Sequence, residues 1–132
     1  MATDPTCPFC SRMDQGAVSA ENDLAAAFPD GFPVSAGHSL VVSRRHVADY
    51  FELAAGEQAA IWALVPEVKA RIDEEHRPAG YNVGLNIGRA AGQTVWHAHV
   101  HVIPRYLGDV EDPRGGVRWV LGARARYWKK PG

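Results

Sequence analysis

Between residues 96 and 103 (WHAHVHVI) apolar side chains and histidines alternate without interruption. A period of two predicts a β-strand, with Trp96, Ala98, Val100 and Val102 on one face and His97, His99 and His101 on the other. Pro104 is expected to close it. Tyr81, Val83, Leu85 and Ile87 alternate in the same way with Asn82, Gly84 and Asn86, which predicts a half-buried strand with Asn82 and Asn86 on one side. From about Gly56 to Glu75 the period changes: Ile61, Leu64, Val65, Val68 and Ile72 recur at helical spacing, with charges opposite. Pro66 lies inside this helix and has no N–H to donate, so the pattern allows a kink or a late start. Pro78 and Gly80 end it. A short apolar run from His38 to Val42, bounded by Gly37 and Ser43, reads as a strand, and residues 18–28 as a hairpin turning at Glu21-Asn22-Asp23. Pro29-Asp30-Gly31 marks a loop. Five strand candidates and one long helix, without regular βαβ alternation, predict an α+β domain on a mainly antiparallel sheet.

Composition adds limits to this picture. A chain of 132 residues with 46% hydrophobic content suffices for one domain, 1–132, with its own core. The net charge of −1 gives no reason to expect nucleic acid or a membrane surface as partner. Basic residues gather late: seven Lys/Arg stand against three Asp/Glu from Arg105 onward, a tail of about 106–132 whose order the sequence leaves open. Its Trp119, Tyr127 and Trp128 suit packing on this domain or closing over a partner's site. No apolar run approaches the ~20 residues of a membrane span and no signal-peptide layout is seen, so the cytoplasm is the expected compartment. There Cys7 and Cys10, spaced C-x-x-C, point to metal or redox chemistry rather than a structural disulfide.

Half of the six histidines fall within five residues. Imidazole titrates near neutrality, so a neutral ring can attack or accept a proton while a charged neighbour donates or steadies an anion. An H-x-H pair on a metal, or plain surface histidines, are the alternatives. The small-residue loop Gly88-Arg89-Ala90-Ala91-Gly92-Gln93-Thr94 leads into the histidines and lets backbone N–H groups approach a phosphate, although it lacks the G-K-[ST] ending of a P-loop. His76, at the helix C-terminus, suits the helix dipole and is assigned no function.

His97-Ala98-His99-Val100-His101-Val102-Ile103, preceded by Ala91-Gly92-Gln93-Thr94-Val95 and followed by Pro104-Arg105, resembles the histidine triad (HIT) family, whose hallmark is His-φ-His-φ-His-φ-φ with φ apolar. Asp30-Gly31-Phe32-Pro33-Val34-Ser35-Ala36-Gly37-His38 looks like that family's aspartate-to-histidine segment, and Ser43-Arg44-Arg45-His46 like its basic turn. The resemblance covers most of residues 7–105. It implies a five-stranded sheet with one long and one short helix, joined across a homodimer. It also implies a hydrolase that cleaves at the α-phosphate of a nucleoside phosphoramidate or dinucleoside polyphosphate, with a purine nucleotide as substrate.

By that resemblance His99 is the nucleophile that forms a nucleotidyl-histidine. His101 and His38 position it and stabilise the phosphoryl oxygens. Asn86, Gln93 and Thr94 bond the phosphate or leaving group, and Asp30 binds the ribose hydroxyls. Three histidines fit the hydrolase branches, since the uridylyltransferase branch has glutamine third. No catalytic metal is expected. Cys7 and Cys10 supply two ligands of a structural zinc site that needs four, and His46 and His97 complete it as in some bacterial-type members; a free or redox-active pair is the alternative. Sequence leaves two other classes open: a nucleotide-binding regulatory module with little turnover, and a triad that binds a catalytic metal. A nucleotidyl transferase or phosphorylase of the same family is also open.

Overall fold

The computed structural model describes residues 4–128. Five strands, β1 (Ala20–Glu21), β2 (Ala25–Pro29), β3 (Ser39–Ser43), β4 (Gly80–Gly84) and β5 (His99–Arg105), form one antiparallel sheet in the order β1-β2-β3-β5-β4. The hairpin expected at 18–28 is β1–β2, its turn held by Asn22, whose side-chain oxygen accepts the N–H of Leu24 and of Ala25.

Helix α2 (Ala55–His76) covers one face of the sheet. Its Ile61, Leu64, Val68 and Ile72 pack on Ala25, Ala27, Val41, Val100 and Val102. The helix neither starts late nor stops at Pro66. That residue is exposed, and water can take the carbonyl whose N–H partner it lacks. The short helix α1 (Pro8–Asp14) lies on the other face, where Phe9 and Cys10 meet Ala26, Phe28, Leu40 and Val42. Strands β2 and β3 are therefore buried on both sides, which is why they read as unbroken small and apolar runs rather than as alternation.

Three strand boundaries differ from the sequence expectation. Strand β5 starts at His99, so Trp96 and His97 precede it in an irregular turn, and it continues past Pro104 to Arg105. Proline is tolerated because β3 has already ended beside it: the Pro104 carbonyl accepts the Ser35 hydroxyl at 2.7 Å, and its nitrogen faces the same departed neighbour. Strand β4 ends at Gly84, leaving Leu85, Asn86 and Ile87 outside the ladder. Gly37, before β3, has φ +94, and a Cβ there would lie 2.9 Å from the His76 ring, so only glycine fits this close turn.

The expected tail is packed where it is described. Residues Gly116–Ala125 form 3-10 turns against β4, Trp119 donates to the Arg114 carbonyl, and the Arg114 guanidinium lies 4.6 Å over the Trp128 ring. Residues 129–132 of that tail lie outside the described residues. Among the described residues, no helix is long and apolar enough to cross a membrane.

Candidate active site

The α1 face of β5 carries His99 and His101. His97, one turn earlier, departs from them: the structure makes two clusters from the three histidines. The first joins Cys7, Cys10, His46 and His97, whose ligand atoms all lie within 4.8 Å of one another. Cys7 Sγ is 3.5 Å from His97 Nδ1, Cys10 Sγ is 3.5 Å from His46 Nδ1 and 3.6 Å from His97 Nδ1, and the two Nδ1 atoms are 3.2 Å apart. Metal bonds of about 2.0–2.3 Å in a tetrahedron set such ligand atoms about 3.3–3.8 Å from each other. These four residues are thus positioned to bind a metal ion.

Local chemistry prepares each ligand. His97 Nε2–H donates to the Ser43 carbonyl at 2.6 Å, which leaves Nδ1 bare, and burial pushes this imidazole down to about 4, so it is neutral as a metal ligand must be. His46 is set by its neighbour: the Arg45 guanidinium donates to both carboxylate oxygens of Glu57 at 3.0 and 2.8 Å and holds that carboxyl below its usual range. The pair anchors the turn after β3 to the first turn of α2. Sequence reading missed it, because twelve residues separate the partners and Glu57 belongs to no motif.

The second cluster is a chain of imidazoles with assignable protons. His99 Nδ1 lies 2.7 Å from the His97 carbonyl, which only accepts, so Nδ1 carries the hydrogen and the bare nitrogen is Nε2. Val34 N–H donates to His38 Nδ1 at 3.1 Å, so neutral His38 is protonated on Nε2. That Nε2–H meets His101 Nδ1 at 3.0 Å, which makes His101 an acceptor there and a donor through its own Nε2–H. Burial lowers His38 and His99 from the ordinary imidazole value and takes His101 to about 4. All three are neutral at pH 7, so the donor beside His99 is a neutral N–H rather than the charged neighbour expected from sequence.

A cleft of about 510 Å³ opens over these rings, within the range that holds small-molecule ligands. Asp30, His38, Asn86, Thr94, His99 and His101 line it, as does Gly92, whose φ of +90 turns the loop. The remaining wall is mostly apolar, with Phe9, Phe28, Phe32, Leu40 and Val95, and Arg12 over the Phe28 ring is its charged member. Phe9 meets the His99 ring edge-on at 4.9 Å. It too was missed in the sequence, although its place between two metal-directed cysteines fixes it. A neighbouring cleft of about 520 Å³ shares Val34, His38, Asn86 and His101 and is closed by Gly116, Val117, Trp119 and Val120 of the tail.

Gln93, expected at the phosphate, is not brought to the cleft. It is buried, its Oε1 accepts Gly88 N–H at 2.9 Å, and its Nε2 donates to the carbonyls of Ala48 and Val95 at 2.9 and 3.1 Å. With its amide spent on three backbone groups, it braces the loop that carries Thr94. Gln93→Ala is therefore expected to lower unfolding stability by about 1–3 kcal/mol in urea titration. A loss of turnover at unchanged stability would instead place the side chain on the ligand.

A family model for the HIT domain matches residues 13–108. The chain is 35% identical over 108 residues to a HIT-like protein of Mycoplasma genitalium, covering 79% of this chain and 76% of that one. It is 38% identical over 97 residues to the AP-4-A phosphorylase of Mycobacterium tuberculosis, covering 73% of this chain and 50% of the relative. Among solved structures, a zinc-bound histidine triad family protein from Mycobacterium smegmatis superposes with a TM-score of 0.71 at 30% identity, covering 81% of this chain and 80% of the other.

Proposed function

The chain belongs to the histidine triad family, and on that premise we propose that it is a nucleotide hydrolase cleaving at the α-phosphate of a nucleoside phosphoramidate or dinucleoside polyphosphate through a nucleotidyl-His99 intermediate. One observation carries the reading: the His97 carbonyl holds the proton of His99 on Nδ1, so the neutral ring offers Nε2 as a nucleophile without prior deprotonation.

The residues divide the work accordingly. A purine lies against the apolar wall of Phe9, Phe28, Phe32 and Leu40, with its ribose hydroxyls on Asp30. His99 Nε2 forms a bond to the α-phosphorus as the bond to the leaving group breaks, and the leaving phosphate, or the amine with a proton taken from solvent, departs toward the cleft closed by Val117 and Trp119. Water then forms a new P–O bond, the N–P bond breaks, its electron pair returns to Nε2, and nucleoside monophosphate leaves with a proton released to solvent. His101 Nε2–H, the Asn86 amide and the Thr94 hydroxyl donate to the phosphoryl oxygens, each such donor contributing on the order of 3 kcal/mol where charge develops.

Cys7, Cys10, His46 and His97 hold a zinc ion, which supplies architecture and takes no part in the displacement. The ligand spacing and the zinc-bound relative support that assignment. The outer edge of β4, without a strand partner among the described residues, supports a homodimer joined there into one sheet.

The test is to quench the reaction with an α-labelled dinucleotide and look for an acid-labile, base-stable protein adduct. Turnover without any adduct would sink the covalent route. The relative named as a phosphorylase favours a second reading, in which inorganic phosphate replaces water in the second step. Phosphate added to the assay then shifts the product from nucleoside monophosphate to diphosphate, whereas the hydrolase yields monophosphate at any phosphate concentration.

A further inference from the structure

The two oxygens of Asp30 have different surroundings. Oδ1 accepts Phe32 N–H at 2.8 Å, a local turn contact. Oδ2 faces the imidazole pair, 3.4 Å from His38 Nε2 and 3.9 Å from His101 Nδ1. These three groups lie close enough together to suggest a cation site. The proton assignment opposes it: with Val34 N–H on Nδ1, His38 keeps its hydrogen on Nε2 and has no lone pair there for a metal. Instead the His38 Nε2–H lies between two acceptors, His101 Nδ1 and Asp30 Oδ2.

Both rings are exposed on few sides, and the Asp30 side chain is only 15% exposed, so its charge acts on the pair with little screening. A carboxylate in that place favours the His38 tautomer that points Nε2–H inward. It thereby keeps His101 Nδ1 as an acceptor and leaves the other N–H of that ring to bond an anionic phosphoryl oxygen. We propose that Asp30 is a positioning residue for His101, acting through His38, in addition to any contact with ribose. This rests on the hydrolase reading above.

Substrates with and without ribose hydroxyls separate the two roles. Wild-type protein and Asp30→Asn are compared on whichever of adenosine phosphoramidate and diadenosine tetraphosphate the wild type turns over, and on its 2′,3′-dideoxy counterpart. A positioning role lowers kcat on the dideoxy substrate by about tenfold with KM changed less than about twofold. A role confined to ribose leaves the dideoxy rate of Asp30→Asn equal to that of wild type, and that result overturns the proposal. Asp30→Ser, which keeps an acceptor for Phe32 N–H, is the second variant with the same expectation. In a His38→Gln background Asp30→Asn should change the dideoxy kcat less than about twofold, because the route from Asp30 to His101 is already cut. A full tenfold effect there overturns the route through His38. Absence of turnover by wild type on both ribose substrates overturns the hydrolase reading and this proposal with it, whereas wild-type turnover with an unaffected Asp30→Asn overturns the proposal alone.

Discussion

His99→Ala is expected to abolish the nucleotidyl adduct and to lower turnover by at least about 1,000-fold. The expectation follows from how the other ring nitrogens are occupied. His38 Nδ1 takes the Val34 N–H, and His101 Nδ1 takes the His38 proton. His97 donates through Nε2 to the Ser43 carbonyl and turns Nδ1 toward the cysteines. None of these can present a lone pair to phosphorus without giving up a buried hydrogen bond or a metal ligand. His99→Gln keeps a donor for the His97 carbonyl and should fold as wild type does while failing in the same way, which separates chemistry from packing against Phe9. Steady-state turnover and the quench experiment read both variants. A His99→Ala rate within tenfold of wild type would exclude His99 as the nucleophile.

Metal removal has the second large effect. The four-residue cluster ties α1, the turn after β3 and the lead into β5 to one point, across sequence separations of up to 90 residues. Emptied of an ion, it leaves buried thiols and imidazoles facing one another. Cys10 sits there with its thiol raised by burial, a group that becomes a thiolate readily only on a metal. Purified protein should carry one zinc per chain. Cys10→Ser or a strong chelator should cost about 3–5 kcal/mol, a melting temperature roughly 10–20 °C lower for a domain of this size. The sheet and α2 have their own core, so loss of the ion weakens the fold rather than erasing it. Turnover should fall in parallel, because the His97 residue that offers its ring to the metal also holds the His99 proton with its carbonyl. Unchanged melting and no bound metal in the wild type would remove the zinc site from the account.

Much of the fold was legible because it is written in local periods. The 3.6-residue spacing of Ile61, Leu64, Val68 and Ile72 places them all on the sheet, as expected. Alternation across Tyr81–Val83 and His99–Val102 placed two strands. Alternation overreached at the ends. Residues 96–98 keep the period of two but leave the ladder, where His97 joins Cys7, Cys10 and His46 instead of the strand's other histidines. At Pro104 the reading fell short instead: a residue that usually stops a strand is accepted because its neighbour strand ends two residues short.

Residue type and spacing named the three clustered imidazoles and the cysteine pair as chemistry-bearing groups, because those properties belong to a side chain and to backbone geometry over a few residues, and the family resemblance added His38 and Asp30. Which nitrogen of each histidine holds its proton was decided elsewhere: by the carbonyls of Ser43 and His97, the N–H of Val34 and the carboxylate of Asp30. Sequence also assigned Gln93 to phosphate, whereas its surroundings give its amide to Gly88, Ala48 and Val95. Hydrogen bonds are made with whatever group folding brings close, and the partners that set the ring of His97 and the amide of Gln93, Ser43 and Ala48, lie 54 and 45 residues away. The division of the three histidines, His97 among the cysteines and His99 and His101 in the cleft, is therefore a property of the tertiary structure.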